Sequence, residues 1–323
     1  MPKTETEPRP AADAQQTVRL GIDLGGTKIE IVALGSDRRG AERELLRRRV
    51  PTPREDYAGT VAAIGALVEA AEAELGAAGT VGIGIPGSIS PATGLIRNGN
   101  STWLNDKPLT QDLEKRLRRP VRLANDANCF ALSEAADGAG TGADSVFGVI
   151  LGTGVGGGIA IGERIVTGAN AIAGEWGHIP LPGRGAADGP PRRCWCGRND
   201  CIETFLSGPA FEREYAAASG GRIQAHEIAD RAAQGDGIAA AAFARYEERL
   251  ARALAMVMNL LDPDVIVLGG GVSNIAVLRR DVPKLWGPHV FSDRIATRLE
   301  AAVHGDSSGV RGAARLWPGK PAD

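Results

Sequence analysis

Twice along this chain a β-branched run enters a glycine-rich turn and leaves as a second apolar run, which commits each half of the sequence to a hairpin. Val18 to Ile22 and Ile29 to Leu34 flank Asp23-Leu24-Gly25-Gly26-Thr27-Lys28, the pattern of two strands joined by a tight turn. Val146 to Leu151 and Gly158 to Ile161 repeat it around Gly152-Thr153-Gly154-Val155-Gly156-Gly157. An internal duplication of this kind predicts two related lobes, one opened by each hairpin. The length agrees, since 323 residues exceed the roughly 100–200 of one usual domain.

Between the turns the chain alternates strand and helix signals. Tyr57, Val61, Ile64, Val68, Ala71 and Leu75 step by three and four and predict an amphipathic helix. Val81 to Ile85 reads as a buried strand ending at Pro86-Gly87, and Val121 to Ala124 as another, with Asn125-Asp126-Ala127-Asn128 where it turns into a helix through Ala136. Phe243, Tyr246, Leu250, Leu254, Val257 and Leu261 again recur at helical spacing until Pro263, and Val265 to Leu268 leads into Gly269-Gly270-Gly271. The alternation predicts two α/β lobes. We place the first at 18–137 and the second at 138–318, with polar tails at 1–17 and 319–323, the first of which reads as disordered.

Composition removes several classes of function. Hydrophobic residues at 43% and charged residues at 24% are globular values, no apolar run nears the roughly 20 residues that cross a bilayer, and the N-terminal stretch has no apolar core of a signal peptide. A formal net charge of -2 gives no overall attraction to nucleic acid or an anionic membrane, so a small ligand in the cytoplasm is the expectation.

Three residue groups carry chemistry. Bare glycine backbone in the two hairpin turns and in the Gly269 to Gly271 triplet lets amides approach phosphate closely. Each turn is also consistent with a plain hairpin, and the first is not a Walker A loop, because a strand rather than a helix follows it. Cys194, Cys196 and Cys201 fall within eight positions, and with His178 they offer a Cys3His set suited to a closed, structural Zn2+ site. A reducible thiol cluster is the alternative; Cys129, on the helix after Asn125-Asp126, reads as core. Asp126 stands at the carboxyl end of a strand, where a carboxylate can accept a proton from an attacking hydroxyl. The same position suits an Asx helix cap.

Asp23 to Lys28, Asn125 to Asn128, Gly174-Glu175-Trp176-Gly177-His178 and Cys194-x-Cys196-Gly197-x-x-x-Cys201-Ile202-Glu203 together resemble the ROK family, named for repressors, open reading frames and kinases. The likeness runs from about Arg19 to Pro318. It implies a two-lobed actin-like fold of the ribonuclease H and hexokinase type, use of ATP and Mg2+, and phosphorylation of a hexose at its 6-hydroxyl. It also implies a homodimer. Position by position, Asp126 matches the catalytic base, and Asn125, Glu175, His178 and Glu203 match residues that bind sugar hydroxyls, with Gly87, Ser88 and Asn100 as loop contacts. Asp23 matches the residue near Mg2+. Gly25, Gly26, Thr27, Lys28, Thr153, Gly154, Gly156, Gly157 and Gly269, Gly270 and Gly271 match the nucleotide-binding turns. Asp200 departs from the pattern, standing where the family usually has Gly and putting strain on the knuckle.

The segments Ile85 to Pro91 and Asn98 to Asn105, with the ending His304 to Gly312, look closest to bacterial fructokinase members, so D-fructose is the expected substrate. N-acetylglucosamine or glucose is the alternative. A sugar-responsive repressor is the lesser expectation, because the 17 residues before Val18 are too few for a helix-turn-helix.

Overall fold

A computed structural model describes residues 18–36, 42–305 and 308–317. The segments 1–17 and 319–323 read above as tails, with Asp306, Ser307 and Pro318 of the family-like ending, lie outside the described residues.

Two five-stranded sheets share one plan. In the first, β1 (Val18–Leu24) and β2 (Lys28–Ser36) form the predicted hairpin, and β3 (Glu42–Pro51) extends it antiparallel along its edge. Helix α1 (Tyr57–Leu75) forms over the predicted residues. It buries Ile64, Val68 and Ala71, Asp56 caps it by accepting from the Gly59 N–H, and left-handed Gly76 ends it. β4 (Gly79–Ile85) then runs parallel to β1. A small ribbon of β5 (Ser88–Ile89) and β6 (Ile96–Arg97), and α2 (Leu109–Leu117), precede β7 (Val121–Asn125), which lies parallel to β4.

Helix α3 (Asp126–Asp137) carries the chain to the second sheet. There β8 (Ser145–Leu151), β9 (Val155–Ile161) and β10 (Arg164–Ile165) repeat the antiparallel part. After α4 (Glu203–Leu206), α5 (Gly208–Ser219), α6 (Ala225–Ala233) and α7 (Gly237–Leu261), β11 (Val265–Gly269) joins parallel to β8. α8 (Val277–Asp281) and a parallel β12 (Arg298–Ala301) complete it. The strand orders, β3-β2-β1-β4-β7 and β10-β9-β8-β11-β12, match element for element. Each sheet has its own apolar core.

The last helix, α9 (Ser308–Ala314), returns to the first sheet, where Val310 and Ala314 pack on Val32 and Leu34. The second lobe therefore lies between two stretches of the first, joined through α3 and α9. Those helices cross at backbone contact, because a Cβ at Gly312 would overlap the Cys129 carbonyl. Gly312→Ala should lower stability by about 3 kcal/mol or more, since neither backbone can retreat without disturbing its sheet. A shift of the urea midpoint worth less than about 1 kcal/mol would show that the crossing can open.

Candidate active site

The parallel strands β4 and β7 end side by side and deliver Gly87 and Asn125-Asp126 to one edge of the cleft between the sheets. Asn125 is the N-cap of α3: its Oδ1 accepts from the Ala127 N–H at 2.9 Å, and its Nδ2 donates to the Gly87 carbonyl at 3.0 Å. The capping role that competed for Asp126 thus falls mainly to its neighbour, although Asp126 Oδ1 shares the same N–H at 2.8 Å. Asp126 keeps open surface toward the cleft, yet protein walls surround it. Desolvation lifts its pKa to about 6, helped by the Glu175 charge and opposed by the Ala127 and Asn125 hydrogen bonds.

Asp23, at the end of β1, is raised to about 7 by desolvation and by the charges of Asp126 and Glu30, against which Lys28 acts weakly. Glu30, opposite Asp23 across the hairpin, pairs with Arg47 through Oε1 and with Arg49 through Oε2, which also lies 3.7 Å from Lys28. Asp23 is therefore a carboxylate short of a cation, which suits a place beside Mg2+. Gly25, Gly26 and Thr27 make the turn, closed by Gly25 N–H to the Lys28 carbonyl at 3.0 Å and held by the Thr52 hydroxyl on the Gly25 carbonyl at 2.7 Å. Gly26 approaches Ser101, next to Asn100, so the β1–β2 turn meets the loop that follows β6.

That loop is built around Gly87, whose left-handed φ of 81° brings its Cα against the Arg97 carbonyl, where a Cβ has no room. Ser88 pairs with Arg97, and the Asn105 side chain clamps Gly99 through both its amide atoms at 3.0 Å.

The β8–β9 turn is tied to Glu203, the first residue of α4. Its Oε2 accepts from the Val155 N–H at 3.0 Å, and a Cβ on Gly154 would come within 2.6 Å of that oxygen. Gly156 and Gly157 lie inside β9, which starts earlier than the sequence pattern suggested, and their backbone receives the Trp176 indole, with Nε1 donating to the Gly156 carbonyl at 2.8 Å. Gly269 and Gly270 pack against Phe130 and Leu151, whereas Gly271 opens, with Thr153, on a cavity of 350 Å³ beside Gly208 and Val272.

His178, Cys194, Cys196 and Cys201 converge, with donor atoms all within 4.8 Å of one another. Cys196 and Cys201 Sγ are 3.6 Å apart, and Cys194 Sγ lies 3.6 Å from His178 Nδ1. Four donors at about 2.3 Å from one tetrahedral ion would stand roughly 3.8 Å apart, so the set fits a metal. Asp200 takes the left-handed conformation, φ 58°, that explains a glycine in its place. Its carboxylate offsets the strain by accepting from the Arg192 N–H at 2.8 Å and pairing with Arg184 at 3.1 Å. Cys129 is core, as expected. Glu175 is lifted above the ordinary carboxylate range, chiefly by burial.

The Cys194-x-Cys196 motif leaves Trp195 unspecified. Its signal was there: a tryptophan inside so short a knuckle has no interior to enter.

The sequence profile of the ROK family matches residues 19–320. N-acetyl-D-glucosamine kinase of Salmonella newport (strain SL254) is 43% identical over 300 residues, 92% of this chain and 98% of that protein. The ROK hexokinase from Thermus thermophilus superposes with a TM-score of 0.79 at 31% identity, over 92% of this chain and 97% of its own. A ROK glucokinase from Streptomyces griseus, solved with glucose and AMPPNP, gives 0.71 at 32% identity, over 93% and 98%.

Proposed function

The chain belongs to the ROK family, and on that premise we propose that it is an ATP-dependent kinase acting on the 6-hydroxyl of N-acetyl-D-glucosamine. The observation that carries the kinase reading is Asp126: Asn125 carries the α3 cap alongside it, and its own carboxylate stays exposed at the end of β7 with its pKa raised to about 6. The choice of sugar rests on the Salmonella relative. It displaces the fructose expectation, which stood on the likeness of Ile85 to Pro91, Asn98 to Asn105 and the ending His304 to Gly312.

In this reading the β1–β2 and β8–β9 turns hold the triphosphate, and the cavity beside Gly271 and Thr153 takes the adenosine. Asn125, Glu175, His178 and Glu203 sort hydroxyls by donor and acceptor geometry, with Gly87, Ser88 and Asn100 on the other side. Asp126 accepts the proton of the 6-hydroxyl as that oxygen attacks the γ-phosphorus. Mg2+ beside Asp23 would neutralise charge on the β- and γ-phosphates. Lobe closure excludes water that would otherwise take the phosphoryl group.

Initial rates with N-acetyl-D-glucosamine, fructose, mannose, glucose and N-acetylmannosamine test the reading. The first should lead in kcat/KM by about tenfold or more, a margin that correctly placed hydrogen bonds supply. A lead for fructose would restore the alternative, and no turnover on any of the five would remove the kinase reading itself.

Zn2+ is the ion proposed for the Cys3His site. With four protein donors it leaves no open position, so its part is to hold the loop that ends at Glu203. Cys196→Ser, or prolonged chelation, should lower Tm by about 10 °C or more while early loss of kcat stays small. An unchanged melting curve together with no zinc by elemental analysis would end the claim.

We place the protein in the cytoplasm as a homodimer. Among the described residues no helix is long and apolar enough to cross a membrane.

A further inference from the structure

Trp195 sits between two of the converging cysteines, and its side chain is 64% exposed, where an indole normally buries most of its surface. Two contacts nevertheless orient it. Its Nε1–H donates to Glu203 Oε1 at 2.7 Å, and its ring stands edge-on to His178, with centroids 5.0 Å apart at 87°. The same ring lines a cavity of 660 Å³ whose polar end carries Asn98, Glu175 and His178 and whose remaining wall is mostly apolar, from Phe147 and Ile159 to Met256 and Leu260.

Those contacts have consequences for Glu203. Oε2 is held by the Val155 N–H, and Oε1 by the indole with Cys194 Sγ at 4.0 Å, so the carboxylate is fixed from both sides and Oε2 keeps a lone pair for a further donor. Glu203 is thus aimed from both sides, once by the phosphate turn and once by the cysteine knuckle. A hexose has a polar rim of hydroxyls and two faces of C–H groups. Glu175 and His178 answer the rim, and an exposed aromatic ring in the same cavity answers a C–H face, recovering the hydrophobic free energy that exposure of the indole forgoes.

We propose that Trp195 is a sugar-recognition residue, offering its ring face to the C–H face of a bound hexose while its N–H holds Glu203 in the orientation that accepts a hydroxyl. The assignment rests on the hexose kinase reading above and adds to it a residue that sets affinity for the sugar.

The test uses the whole protein with zinc retained and the best hexose of the rate comparison. In the wild type, tryptophan emission should shift to the blue when that hexose is added without ATP, as the indole leaves water. Trp195→Phe keeps a ring but loses the N–H; the sugar-dependent shift should vanish, and KM for the hexose should rise about tenfold, the scale of one charge-assisted hydrogen bond. Trp195→Leu, which loses the aromatic face as well, should raise it further. KM for ATP, zinc content and Tm should stay near wild type in both, which a merely structural role would not leave intact. Wild-type hexose KM and an unchanged emission response in Trp195→Phe would overturn the proposal while leaving the kinase standing. A variant that loses dimer mass in sedimentation with an unaltered hexose KM would overturn it too, by assigning the indole to an interface between copies.

Discussion

Replacing Asp126 with Asn should lower kcat by about 10²- to 10⁴-fold, the usual contribution of a positioned base, with the hexose KM moved by less than about threefold. Asn preserves the shape and the hydrogen bond to the Ala127 N–H, and Asn125 keeps the cap, so the helix and the sugar contacts survive. What is lost is the ability to take the proton as the sugar oxygen attacks. Turnover within threefold of wild type would remove Asp126 from that role. The pH profile gives an independent check. The base must be ionised, and Asp126 and Asp23 are raised to about 6 and about 7, the latter partly by the Asp126 charge, so kcat/KM should fall as pH drops through that range. A profile flat from pH 8 to 5 would contradict it. Stability should move oppositely to activity. The Asp126 pKa in the fold lies above its ordinary 3.8, so its contribution favours folding below that value and is lost as pH rises through about 6. At pH 8 the Asn variant, with no charge to desolvate, should melt no lower than wild type.

The sequence exposed most of what depends on local pattern. Helix α1 spans the predicted residues because its apolar steps and its terminators are all local, and the paired hairpins announced two sheets of one topology. β3 escaped because it is an edge strand whose run Glu42-Arg43-Glu44-Leu45-Leu46-Arg47-Arg48-Arg49 lacks alternation; its place is set by pairing with β2 and by ion pairs to Glu30. α9 escaped for the opposite reason. Ser308-Gly309-Val310-Arg311-Gly312-Ala313-Ala314 has poor helix formers, and its small residues make sense only against Gly21, Gly82 and the backbone of α3. In the site, the convergence of His178 with the three cysteines is legible as a motif. Which glycines face a cavity and which merely admit Trp176 or Phe130 was not, because that distinction is made by side chains distant in sequence.

The largest loss of stability from a single side chain should come from Glu134→Ala, about 3–5 kcal/mol out of the 5–15 typical of a folded domain. Glu134 lies in the last turn of α3 with no exposed surface. Its Oε2 accepts from the Ala139 and Val303 N–H groups at 3.0 and 3.1 Å, and its Oε1 from the Ser308 hydroxyl at 2.7 Å and the His304 N–H at 3.4 Å. One carboxylate therefore terminates α3, fixes the chain leaving β12 and starts α9. Alanine would leave those donors buried without acceptors, a cost that water cannot relieve there. Glu134→Gln should be milder, since one oxygen remains, but its NH2 must face a donor. The more conspicuous ion cluster nearby should matter less. Asp137 binds Arg311, Arg315 and His304 with 31% of its side chain exposed, and water can replace much of what Asp137→Ala removes, for about 1 kcal/mol. Urea unfolding of the three variants at pH 7.5 ranks them. If Asp137→Ala proved the more damaging, the bridge between the lobes would be held by surface charge and not by the buried carboxylate that joins α3, which carries Asp126, to α9, whose Gly309 lies against Asp23.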